Sequence, residues 1–317
     1  MSSFINEMHS PYLMLPFIEK YLAKRRQSKY CHALCSKERL RNPIVKIGEG
    51  SFCDALKARR DDGEVTVRLF EFSKGSDVSD KLQVSRTVDD NVSTFEREIV
   101  VGMYLAEKIS GFPKVLTHGS NKERGYIISE YVPGENLANA TCSEGELLSG
   151  MVQVGGQLDA MHRFHLYHGD ITPNNIIAGD QFQIIDFGSS TGIDDLTTDN
   201  LGIPPLFKGR GAPCFMAPEI IKGHYSHKSE VFGLASSIVY ALTETTPYIM
   251  LLDSHGSSWN CFNTWFANPD DVRTQFIAEI NGLDPKLLTL LDRSLKLDPS
   301  KRPLFPEFTY ELEEIVG

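Results

Sequence analysis

Apolar and polar residues alternate from Ile44 onward. Ile44-Val45-Lys46-Ile47 runs into Gly48-Glu49-Gly50, residues 54–60 follow, and Val65-Thr66-Val67-Arg68-Leu69-Phe70 comes after the turn signal Asp61-Asp62-Gly63. Period-two alternation, β-branched residues and glycine punctuation predict three antiparallel strands. A polar stretch at 73–91 separates them from Ser93-Thr94-Phe95-Glu96. Its capping-box spacing predicts a helix starting there, with Ile99, Met103 and Ala106 on one face. Two more strands are expected near Lys114–Thr117 and Tyr126–Glu130, and Tyr131-Val132-Pro133-Gly134 reads as a hinge. Beyond 140 the period lengthens. Ser143-x-x-Glu146 is a second capping box, and Leu147, Leu148, Met151, Val154, Leu158 and Met161 recur at helical spacing. Stretches 228–243, 270–281 and 285–296 also read as helices. A small β-rich part with one main helix, followed by a larger helical part, predicts an α+β chain with a ligand cleft at the hinge.

Composition narrows the function classes. The chain has 317 residues, 41% hydrophobic and 23% charged, as in ordinary folded proteins. An uncharged run at 231–243 falls short of the roughly 20 residues that cross a bilayer, so no membrane insertion is expected. The start, MSSFINEMHSPYLMLPF, lacks the pattern of a secretory leader. A net charge of −10 argues against nucleic acid as a partner. The six cysteines are scattered; Cys31 and Cys35 are close together but have no second ligand pair for zinc, so free thiols are expected. A cytoplasmic or otherwise intracellular location follows as the expectation. Residues 1–41 are basic and partly helical in pattern, with Leu13, Phe17 and Leu22 as weak apolar anchors. A solvated face is the first reading of this extension, and a docking segment for an acidic partner is the second.

Four separated motifs then fall in one order: Gly48-Glu49-Gly50-Ser51-Phe52, His168-Gly169-Asp170 with Pro173-Asn174-Asn175, Asp186-Phe187-Gly188, and Met216-Ala217-Pro218-Glu219. With them, residues 44–310 resemble the eukaryotic-type protein kinase superfamily, as a divergent member. The resemblance implies a bilobal protein-kinase-like α+β fold: an N-terminal extension at 1–41, an antiparallel β-rich N-lobe at 42–132 and a mainly helical C-lobe at 133–317. It implies ATP and Mg2+ as cofactors and a protein substrate, with Ser/Thr hydroxyls as acceptors. Ile47, Gly48, Gly50, Phe52, Arg68, Glu98, Glu130 and Val132 would bind the nucleotide. Asp170 would orient the acceptor hydroxyl and take its proton, alongside Thr172 and Asn175 in the catalytic loop. Asn175 and Asp186 would hold the metal, since both offer hard oxygen donors. Glu219 and Arg302 resemble the family's buried ion pair. Ser189–Arg210 would be the activation segment, with Ser189, Ser190, Thr191, Thr197 and Thr198 as hydroxyls open to phosphorylation.

The chain also departs from the family pattern. Arg68 stands at the nucleotide-binding lysine, with Glu98 as the expected helix partner, and its planar fork differs from a compact ammonium. Lys46 and Lys57 are nearby, but the family register turns both outward. Cys53 replaces the third glycine of the loop. Thr172 replaces the catalytic-loop lysine, and Ala212 its threonine partner. Gly169 replaces the arginine that would receive an activation-segment phosphate. Glu230 stands where an aspartate usually braces the catalytic loop. Two alternatives follow from these changes: a pseudokinase that binds nucleotide or partners with little catalysis, and a small-molecule phosphotransferase, suggested by His-Gly-Asp.

Overall fold

The computed structural model describes residues 34, 37–49, 53–72, 88–192, 213–222, 224–246, 250 and 269–317. The basic segment before Leu34, the loop tip Gly50-Ser51-Phe52, and Ala212, Thr197 and Thr198 of the activation segment lie outside the described residues. The chain divides into two units, one from residues 1–73 with 113–131, the other from 74–112 with 132–317.

The first unit is an antiparallel sheet built from β1 (Arg41–Glu49), β2 (Cys53–Arg60), β3 (Gly63–Glu71), β4 (Val115–Ser120) and β5 (Arg124–Glu130). Spatial order is β1-β2-β3-β5-β4. Gly63, at φ 137°, makes the β2–β3 turn in a region open to glycine. Period-two alternation sends Val65, Val67 and Leu69 to one face, where they pack with Ala58, Tyr126, Ile128 and Leu34. Each such aliphatic side chain contributes roughly 1.5–3 kcal/mol on full burial. The Tyr126 hydroxyl donates to Glu38 at 2.6 Å and accepts from Lys37 Nζ at 3.1 Å, pinning the turn before β1 to the sheet.

The second unit holds the six α-helices among the described residues: α1 (Val88–Lys108), α2 (Glu144–Arg163), α3 (His227–Thr243), α4 (Pro269–Glu279), α5 (Pro285–Ser294) and α6 (Phe305–Val316). Short strands β6 (Glu135–Asn136), β8 (Ile176–Ala178) and β9 (Gln183–Ile184) make one ribbon, and β7 (Leu166–Tyr167) pairs with β10 (Thr191–Gly192) in another. The capping box expected at α2 is present: Ser143 Oγ accepts from Glu146 N at 3.3 Å, and Glu146 Oε2 accepts from Ser143 N at 2.8 Å. Helix α3 is buried all round from Ser229 to Val239, as befits a central helix, and carries the core with Met151, Val154 and Leu158 of α2 and Phe305 and Phe308 of α6. Val101 and Leu105 join α1 to the same core.

Two element expectations need correction. Helix α1 starts at Val88, so Ser93–Glu96 lies inside it and caps nothing; four-residue spacing also recurs within helices. Helix α6 adds to the helices expected from spacing. Its signals are Pro306 in the first turn and Phe305, Phe308 and Leu312 on one buried face.

Candidate active site

In the first unit, main-chain pairing puts Gly48 opposite Ala55, Ala55 opposite Arg68, and Arg68 opposite Ile127. Directly paired residues share a face, so this row lies on the side away from Val65, Val67 and Leu69. A Cβ on Gly48 would meet Ala55 Cβ at 3.5 Å, an ordinary contact, so the sheet itself does not demand glycine there. Ile47 is exposed. The Glu130 carboxylate, by contrast, is used structurally, accepting from Lys114 N at 3.0 Å. Lys46 turns to the opposite face and pairs with buried Asp54 at 3.2 Å. Lys57 corrects the register expectation, because it stands opposite Thr66 on the face that Arg68 occupies. Its ammonium is held by Glu64 at 2.9 Å and lies 4.0 Å from the Tyr131 ring centroid.

The second unit gathers Asp170, Thr172, Asn175 and Asp186. Thr172 is buried and opens the 3-10 turn Pro173–Asn175; its carbonyl accepts from Asn175 N at 2.9 Å. Asn175 Nδ2 donates to Asp170 O at 2.8 Å and to Asp170 Oδ2 at 3.1 Å. These bonds fix the amide orientation, with Nδ2 turned to Asp170 and Oδ1 as the remaining side-chain acceptor. Asn175 O accepts from Ile185 N at 2.8 Å, tying the turn to the residue before Asp186. His168 accepts at Nδ1 from Asp170 N at 3.3 Å, so its Nε2–H points to Ile185 O at 3.1 Å. Asp186 sits at φ 71°, a conformation costing a non-glycine residue about 1–3 kcal/mol. Its Oδ1 accepts from Gly188 N at 3.2 Å. One carboxylate and one amide oxygen suit Mg2+, which keeps waters and phosphate oxygens among its ligands, better than a metal needing an all-protein cage. Among the described residues no cluster of three His, Cys, Asp or Glu would make such a cage.

A buried polar group braces this loop from below. Glu230 Oε1 accepts from Gly169 N at 2.8 Å and from the Tyr225 hydroxyl at 2.7 Å, while Oε2 lies 2.6 Å from His162 Nε2. The extra methylene relative to aspartate is therefore accommodated. Burial opposes the Glu230 charge, but the His162 hydrogen bond and charge, His168 and the Gly169 amide outweigh it and hold its carboxyl below the usual range. Burial, then the Glu230 charge, pushes Tyr167 up to about 12 and Tyr225 well above its ordinary value. Gly169 takes φ 83°, where the side chain of an arginine would be strained. Sequence reasoning missed His162 and Tyr225. His162 is 68 residues from its partner, and no local pattern marks it.

The end of the activation segment is anchored as expected. Glu219 and buried Arg302 form a two-pronged pair at 2.6 and 2.8 Å, and Arg302 also donates to the carbonyls of Lys296, Lys228 and Leu297. Ser190 and Thr191 are buried, which removes both as exposed phosphorylation sites in this arrangement; Ser190 Oγ donates to His168 O at 3.3 Å.

The protein kinase domain model matches residues 42–311. Serine/threonine-protein kinase D of Synechocystis sp. is 25% identical over 285 residues, covering 86% of this chain and 51% of that protein. Human serine/threonine-protein kinase A-Raf is 25% identical over 292 residues, 85% of this chain and 42% of its own length. Dual specificity protein kinase zak2 of Dictyostelium discoideum is 32% identical over 142 residues, 43% of this chain and 22% of its own. The chain thus spans about half of the first relative and less of the others. With four motifs in order and a catalytic loop tied through Asn175 to Ile185, the residue before Asp186, the chain belongs to the protein kinase domain family.

Proposed function

We propose that the protein transfers the γ-phosphoryl group of ATP to a Ser/Thr hydroxyl of a protein substrate, with Mg2+. The observation carrying this reading is the bonded set Asp170–Asn175–Ile185, which holds a carboxylate, an amide oxygen and the Asp186 segment together. The metal, when bound, neutralises phosphate charge during the transfer. Asn175 Oδ1 and Asp186 would hold it. Asp170 accepts the acceptor's proton as the new O–P bond forms and the bond from Pγ to its bridging oxygen breaks, releasing ADP. Arg68 would meet the phosphates, with Glu98 as its partner. Ile47, Gly48, Gly50, Phe52, Glu130 and Val132 would surround the nucleotide. That the sheet tolerates a side chain at Gly48 supports a ligand as the reason for glycine there.

The domain reading that goes with this function is an extension at 1–41 and lobes at 42–132 and 133–317. A partner for the basic extension and an intracellular location belong to the same proposal. No described helix is long and apolar enough to cross a membrane. Incubation of the purified chain with labelled ATP, Mg2+ and generic protein substrates tests the activity. Phosphate appears on protein hydroxyls, and Asp186→Asn abolishes it; transfer that persists unchanged in Asp186→Asn defeats the assignment.

A further inference from the structure

The segment carrying Asp186 is held from two sides, and only one of them is the catalytic loop. On that side Ile185 is bonded to Asn175 and His168, and the Phe187 ring lies 5.7 Å from the His168 ring. The other side is helix α1. Arg97 Nη1 donates to Gly188 O at 3.2 Å. A Cβ on Gly188 would come within 2.7 Å of Thr94 Cγ2, 3.3 Å of Asp186 Oδ1 and 3.5 Å of Glu98 Oε2. Thr94, Arg97 and Glu98 lie at i, i+3 and i+4, so one face of α1 presents all three to the same turn. Glu98 is itself buried.

This contact matters because of what the chain lacks elsewhere. Gly169 offers no cation to receive a phosphate, so an activation-segment phosphate cannot organise the turn through that position. Asp186 meanwhile sits in a left-handed conformation that its surroundings must enforce. A guanidinium donating to the carbonyl two residues on fixes the orientation of the Gly188–Ser189 peptide, adjacent to the Phe187–Gly188 peptide whose N–H bonds Asp186 Oδ1. Gly188 is required here for space: any side chain would push into Thr94 and separate helix from turn.

We propose that Arg97 is a positioning residue for phosphoryl transfer: it ties α1 to the Asp186–Gly188 turn and sets the metal-binding carboxylate without phosphorylation. The inference rests on the proposed kinase reading, and its test separates the two. Amide hydrogen exchange is measured on the full chain without ligand, in the natural protein, Arg97→Ala and Arg97→Lys. Loss of one charge-assisted bond should speed exchange across residues 186–190 by about tenfold in Arg97→Ala, with the α3 core unchanged. Arg97→Lys, which keeps a donor, should recover most of the protection. In parallel, binding of a fluorescent ATP analogue is titrated with Mg2+. The half-saturating Mg2+ concentration should rise roughly five- to tenfold in Arg97→Ala and recover in Arg97→Lys. Unchanged exchange at 186–190 in Arg97→Ala overturns the tether, as does an unchanged Mg2+ dependence. Should Arg97→Ala fail to fold, Arg97→Gln takes its place with the same expected direction. A natural protein that ignores the analogue at every Mg2+ concentration would sink the kinase reading instead, while the exchange arm still decides the tether.

Discussion

In the proposed reading, Arg68 is the side chain on which catalysis turns. It lies in the row with Gly48 and Ala55, and Lys57, on the same face, is already engaged by Glu64 and Tyr131. Lys46 is likewise paired with Asp54, so in the proposed reading Arg68, rather than either lysine, would meet the phosphates. Arginine keeps the charge but presents a planar fork, so Arg68→Lys should change kcat/KM by less than about tenfold in either direction. A rise of several orders of magnitude from a near-zero baseline, in the same peptide-phosphorylation assay, would favour the pseudokinase reading. Single residues were unevenly legible in the sequence. Asp170, Asn175 and Asp186 stand in short motifs with fixed spacing, so each is a candidate from the chain alone. His162 and Arg97 act through partners 68 and 91 residues away, and Tyr225 through a carboxylate five residues on at a spacing that belongs to no motif. Ser190 and Thr191 show the converse: hydroxyl-rich sequence reads as surface until a short ribbon buries it.

Elements meet at a buried aromatic and imidazole cluster. His162 from the end of α2 stacks on His227 at the start of α3, with ring centroids 4.2 Å apart, and Tyr167 lies 5.2 Å from His227. Burial, then the charge of His162, lowers the His227 pKa, partly offset by Glu230 and Asp159, with His165 adding to the lowering. Its Nε2 is buried without a hydrogen-bond partner among the described residues. The unfolded chain therefore takes up a proton at His227 near 6.5, before the folded chain does. Stability contributed by the neutral ring is complete above that pH and declines as pH falls from there toward the depressed folded value. His227→Phe keeps a stacked ring and removes the titration, so urea unfolding between pH 7 and 5 should show a shallower loss for the variant. Equal slopes would show that His227 does not titrate between these states. Strands and helices with strong period were legible, α2 down to its capping box. The start of α1 was misplaced because a capping-box spacing also fits inside a helix, and α6 lay beyond a proline-rich stretch whose helical start needs Pro306 read as a first-turn residue.

Across the molecule, Glu219 and Arg302 link the end of the activation segment to the far end of the helical unit. Arg302 is 2% exposed and makes bonds to one carboxylate and three carbonyls. Arg302→Met leaves the partly buried Glu219 beside Ser229 without its cation, and should lower unfolding free energy by about 3–5 kcal/mol in denaturant titration. A loss below about 1 kcal/mol would mean the pair is solvated rather than buried. Whether the whole chain works as an ATP- and Mg2+-dependent enzyme reduces to one binding experiment. Calorimetric titration of the purified chain with ATP, with and without Mg2+, should show saturable binding that needs the metal, weakened by at least about tenfold in Asp186→Asn. No binding at millimolar ATP with Mg2+ present, or binding indifferent to both Mg2+ and Asp186, would contradict it.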